Sequence, residues 1–179
     1  MQKIVAAVVN HLMYDNYFSI FGLPIKYDLD YDILNKKYFE LLKNFHPDNS
    51  INSTNEEKLQ TTKASMLIND AYQTLKDPLK RIEYLLKLQN INITEDGQVK
   101  ASFELLNDIM EYREELEEAQ DKSVFEKLEN KAYSQIEDSK ENFQKYYNSQ
   151  QFEQATESAI KLKYYQKLFE DIKAKKLYK

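Results

Sequence analysis

Asp32-Ile33-Leu34-Asn35-Lys36-Lys37-Tyr38-Phe39-Glu40-Leu41-Leu42-Lys43-Asn44-Phe45-His46-Pro47-Asp48 decides how the chain folds. Leu34, Tyr38, Leu41, Leu42 and Phe45 fall at i, i+4, i+7, i+8 and i+11, which is one face of a helix. Asp30 is positioned as its N-cap, and Asp32 favours the positive end of the helix dipole. Pro47 disfavours helical geometry at the residue before it, so the helix stops and His46 and Asp48 stand at a rigid corner. Working outward, Tyr17-Phe18-Ser19-Ile20-Phe21-Gly22-Leu23-Pro24 reads as a short apolar helix ended by Gly and Pro. Beyond the corner, residues 50–55 are a polar connector of the kind that joins antiparallel helices. Ala64, Ile68, Ala71, Tyr72 and Leu75 then resume the helical spacing up to Asp77-Pro78, a pair that reads as N-cap and N1 of a further helix.

The bulk composition narrows the function. The chain has 179 residues, 42% of them hydrophobic, with 14 Tyr and 9 Phe to fill a core. With two Gly and three Pro, helices can run long. The absence of cysteine excludes disulfides, thiolate catalysis and cysteine-ligated metals or clusters. The net charge of −5 argues against nucleic acid as a partner, because phosphate binding needs a basic footprint. The longest apolar run, 4–9, is far too short to cross a bilayer and lacks the flanks of a signal peptide. Residues 1–13 read as a leader or a mis-assigned start ahead of Met13, and His11 lies within them. No HExxH, Gly-rich phosphate loop or nucleophile elbow occurs, so the chain is expected not to be an enzyme and to need no cofactor or metal.

Residues 89–101, with Gly97, read as a linker. Three long helical segments follow, near 102–120, 123–147 and 150–176. Ser123 and Glu126 carry a capping-box signature for the second. In the third, Phe152, Ala155, Ala159, Leu162, Tyr165, Phe169 and Ile172 alternate in steps of three and four, a bundle seam. Short connections predict an up-down-up three-helix bundle. The first segment carries two stripes. Leu105, Ile109, Tyr112 and Leu116 face a core, while Leu106 and Met110 point nearly opposite, beside Glu111, Glu114 and Glu118. Tyr164 lies off the seam and is a further candidate for exposure. Two exposed apolar groups amid carboxylates suit a partner. Alternatively, Leu106 and Met110 pack against the linker or the N-terminal module. The acidic stretch 104–121, with eight acids, could also pair with the basic tail 161–179, with seven bases.

The order of short helix, long helix, His46-Pro47-Asp48 corner and long helix resembles the J-domain of DnaJ-class co-chaperones over residues 16–80. Tyr17-Phe18-x-x-Phe21-Gly22-Leu23-Pro24 resembles the HscB family more specifically. So does Ile68-Asn69-x-Ala71-Tyr72-x-Thr74-Leu75-x-x-Pro78-x-x-Arg81-x-Glu83-Tyr84-Leu85-Leu86, as do Tyr112-Arg113-Glu114-Glu115-Leu116-Glu117-Glu118 and Lys161-Leu162-Lys163-Tyr164. The resemblance implies an all-α, L-shaped protein with a J-domain over 14–88, a linker over 89–101 and a three-helix bundle over 102–179. It implies that His46, Pro47 and Asp48, with Lys43 on the solvent stripe of Lys36, Glu40 and Lys43 and Lys37 beside that stripe, engage an HscA-type ATP-driven chaperone. It further implies that Leu106, Asn107, Met110, Glu111, Glu114, Glu118 and Tyr164 bind the iron–sulfur scaffold IscU, in the cytoplasm and away from any membrane. Glu40 dilutes the basic stripe, Asn49 stands where Lys is common, Asn107 where an apolar residue is frequent, and Tyr164 where Phe is. Two other readings remain: a general J-domain co-chaperone with a different client, and a non-catalytic helical adaptor.

Overall fold

The computed structural model describes residues 16–45, 54–93 and 100–177. The leader 1–13, His46, Pro47, Asp48, Asn49, most of the connector 50–55 and Gly97 lie outside the described residues. Every regular element among the described residues is a helix.

Four helices start where local chemistry says they should. In α1 (Tyr17–Ile20), Asn16 Oδ1 accepts from the amides of Phe18 and Ser19 at 3.0 and 3.1 Å. Gly22, at φ +59°, turns the chain out of it through a conformation an L side chain resists. In α2 (Tyr31–Asn44), Asp30 Oδ1 takes the amides of Asp32 and Ile33 at 2.9 and 3.0 Å. α3 (Asn55–Lys76) opens on a capping box between Thr54 and Glu57. α4 (Pro78–Leu88) has Pro at its first position, and Asp77 Oδ1 accepts from Lys80 N at 2.9 Å.

α2 and α3 are antiparallel neighbours. Tyr72 Oη donates to Asn35 at 2.8 Å and Tyr38 Oη to Asn69 at 2.7 Å, while Ser65 Oγ donates to the carbonyl of Phe45. The partner number falls as the α2 number rises, which fixes the direction. Tyr38 and Tyr72 stack with centroids 3.8 Å apart. Leu34, Phe45, Ala64, Ile68, Ala71 and Leu75 are buried along the hairpin, and Phe18, Ile20 and Phe21 of the α1 segment are buried too. The Ser65 bond anchors the residue immediately before His46 to the opposite helix.

The chain divides into two compact units between Arg81 and Ile82, within α4. The second unit holds α5 (Phe103–Glu118), α6 (Lys122–Asn148) and α7 (Phe152–Leu177). α6 and α7 run antiparallel: Tyr147 meets Phe152 at 5.7 Å, Tyr133 meets Phe169 at 6.4 Å, and Lys176 reaches Glu129 at 2.7 Å. α5 is antiparallel to α6 and parallel to α7, as the up-down-up expectation requires. Leu128, Ala132 and Phe143 of α6 and Ala155, Ala159, Leu162, Leu168 and Ile172 of α7 have essentially no exposed surface. One expectation fails. α6 begins at Lys122 with Asp121 as N-cap, and no side chain caps it. Ser123 lies inside the first turn because the backbone leaves helical geometry at Asp121 (ψ 143°), two residues earlier than the capping-box pattern implied. Glu126 instead meets Lys122 at 3.7 Å.

Candidate functional site

On α2 the buried side is set by Leu34 and Phe45, so the opposite side faces solvent. Lys36, Glu40, Lys43 and Asn44 are exposed on it. Lys37 is half-buried, with its ammonium 3.9 Å from where a Cβ on Gly22 would stand, so it leans over the α1 turn. This stripe leads towards His46, which lies outside the described residues. Phe39 was not anticipated there. It is 64% exposed at the edge of the stripe, its ring 5.2 Å from that of Tyr38. The signal was its position one residue after Tyr38, about 100° away from the apolar face.

α5 separates its two stripes cleanly. Leu105, Ile109 and Leu116 are buried, and Tyr112 is half-buried with its ring edge-on to Tyr165 at 6.1 Å. Leu106 is 39% and Met110 59% exposed, with Asn107, Glu111, Glu114 and Glu118 exposed around them. Neither apolar residue is packed inside the bundle to which α5 belongs.

Charge pairing around α5 follows the same division. Glu115, on the side facing α6, meets Lys127 at 3.1 Å and Lys131 at 3.4 Å. The Lys127 hydrogen bond is the main influence holding the Glu115 carboxyl below its usual range. Arg113 reaches Asp171 at 3.6 Å. The basic tail spends itself elsewhere: Lys175 donates to the carbonyls of Leu116 and Glu117 at 2.8 and 3.2 Å, and Lys176 goes to Glu129. Lys175 thus neutralises the negative end of α5. Among the described residues no ion pair or hydrogen bond engages the side chains of Glu111, Glu114, Glu117 or Glu118. Among the described residues, no base of the tail pairs with a carboxylate of the acidic stretch.

Tyr164 is half-buried rather than fully exposed. Its place follows from register. α5 and α7 are parallel, and Arg113 pairs with Asp171. Leu106 and Tyr164 each lie seven residues earlier, so they stand at about the same level of the two parallel helices. Behind it, burial above all, and then Asp108 and Tyr112, push the Tyr165 phenol up to about 12.

Two families match the chain, described as "DnaJ domain" over residues 16–84 and "HSCB C-terminal oligomerisation domain" over residues 102–173. A "Co-chaperone protein HscB homolog" of Vibrio cholerae is 47% identical over 102 residues, 57% of this chain. That match spans 60% of the relative's own length. The mouse "Iron-sulfur cluster co-chaperone protein HscB" is 35% identical over 161 residues, covering 90% of this chain and 69% of the relative. The crystal structure of human co-chaperone protein HscB superposes with a TM-score of 0.85 at 32% identity, covering 93% of this chain and 84% of that one.

Proposed function

This chain belongs to the HscB family of J-domain co-chaperones, and on that premise we propose that it couples an HscA-type chaperone to the iron–sulfur scaffold IscU. The α2–α3 hairpin acts on the chaperone. Lys37 and Lys43 steer the encounter, and charges at such a rim set association rate and register more than final affinity. His46, Pro47 and Asp48 bias the chaperone towards hydrolysis, and ATP is bound and cleaved by that partner, in the cytoplasm. α5 and α7 hold the scaffold through Leu106, Asn107, Met110, Glu111, Glu114, Glu118 and Tyr164. One chain carrying both sites raises the effective concentration of scaffold at the chaperone while hydrolysis is stimulated. This assists assembly and transfer of a cluster that the protein does not itself hold.

The observation that carries this reading is the outer face of α5. Apolar groups stand exposed beside carboxylates that no cation engages among the described residues, on a helix whose other side is fixed in the bundle. Calorimetric titration of IscU into the full chain, with residues 1–88 as control, tests it. Saturable 1:1 binding by the full chain alone is expected. Absence of binding, with chaperone stimulation retained, would favour a J-domain co-chaperone with another client.

A further inference from the structure

The apolar stripe of α5 extends beyond the residues assigned to the scaffold. Phe103, the first residue of the helix, is 77% exposed. It precedes Leu106 by three residues and Met110 by seven, so the three side chains share one line of the helix. Ser102 Oγ accepts from Leu105 N at 3.2 Å and fixes the first turn from which the ring projects. A large ring with two torsions, held on an ordered helix end, supplies contact area at little cost in entropy. At the other end Glu117 lies seven residues after Met110 on the same line. It is exposed, and its carboxylate makes no ion pair among the described residues, Lys175 donating to its backbone carbonyl instead.

The exposed apolar side chains Phe103, Leu106 and Met110 thus lie towards the start of the outer face and the carboxylates Glu111, Glu114, Glu117 and Glu118 towards its end, with Arg113 among the latter paired to Asp171. Resting on the scaffold reading above, we propose that docking uses the whole of this face, with Phe103 as its apolar anchor and Glu117 part of its acidic end. The scaffold then presents an apolar patch followed by basic groups in the same order. A second copy overlapping along the whole face fits poorly, because antiparallel pairing then sets apolar halves on carboxylates and parallel pairing sets carboxylates on carboxylates.

The test titrates IscU into the full chain and into Phe103→Ala, Phe103→Leu, Glu117→Gln and the double variant Leu106→Ala/Met110→Ala, at low and high salt. Phe103→Ala is expected to weaken binding about tenfold at both salt concentrations, with Phe103→Leu recovering most of the loss. Glu117→Gln is expected to weaken it about twofold at low salt, the effect fading as salt screens the charge. An unchanged affinity for Phe103→Ala, with binding lost in the double variant, overturns the extension and leaves the scaffold reading standing. Binding that survives in the double variant, or is absent in the unaltered chain, removes both. Self-association of the unaltered chain that Phe103→Ala abolishes overturns the assigned occupant.

Discussion

Tyr165 shows how burial sets a single residue's chemistry. Its phenol is kept neutral in the bundle up to about pH 12, against about 10 in an unfolded chain. The stabilisation is fully present below pH 10. It is lost as pH rises towards 12, because the unfolded chain ionises first. Tyr165→Phe is expected to flatten that alkaline decline in thermal melts recorded from pH 8 to 12; identical slopes for the two chains would show that the hydroxyl does not titrate there. Arg81 is an unusual buried cation, 2% exposed. Its guanidinium lies over Tyr27 at 4.9 Å and Tyr31 at 5.2 Å and donates to Tyr31 Oη at 2.8 Å, while Nε and Nη1 have no hydrogen-bond partner among the described residues. Aromatic faces, together with burial of the aliphatic stem, replace a carboxylate. Arg81→Ala is therefore expected to cost about 2–4 kcal/mol in urea unfolding; a loss within experimental error would mean the rings hold nothing. At the corner, His46→Gln is expected to abolish ATPase stimulation with scaffold binding intact, as the family resemblance implies; stimulation that survived would remove His46 from the mechanism.

At the scale of one helix, α5 gives adjacent residues opposite consequences. Leu105 is buried, so Leu105→Ala should destabilise the bundle by about 2–5 kcal/mol through lost burial and a residual cavity. Leu106 and Met110 are exposed, so Leu106→Ala with Met110→Ala should change stability by less than about 1 kcal/mol. The same pair of changes should abolish scaffold binding. Chemical denaturation and calorimetry on the same samples separate the two effects. A double variant that loses both stability and binding would place these side chains in the core instead. The carboxylates divide in the same way, with Glu115 committed to α6 and Glu111, Glu114, Glu117 and Glu118 turned outward.

For the whole molecule the proposal rests on two sites in one chain. A mixture of the His46→Gln chain with the Leu106→Ala/Met110→Ala chain carries each site intact, but on different molecules. Because linkage supplies the effective concentration, that mixture is expected to fall well short of the unaltered chain in scaffold-dependent ATPase stimulation at sub-saturating concentrations. Full recovery would show that linkage contributes nothing. The sequence alone determined the elements, the start of α6 excepted. Asp30, Asp77-Pro78, Gly22 and the apolar periods act within a few residues, and side-chain-to-backbone caps and helical periodicity are local properties that a linear reading contains. It also determined that Leu106 and Met110 point away from Leu105 and Ile109, because helical geometry fixes that angle. Only the tertiary structure decided which acids stay unengaged among the described residues and that Lys175 caps carbonyls instead of pairing with a carboxylate. It also decided that Phe39 and Phe103 remain uncovered. These outcomes depend on which helix faces meet, between residues tens of positions apart, and no local period encodes that.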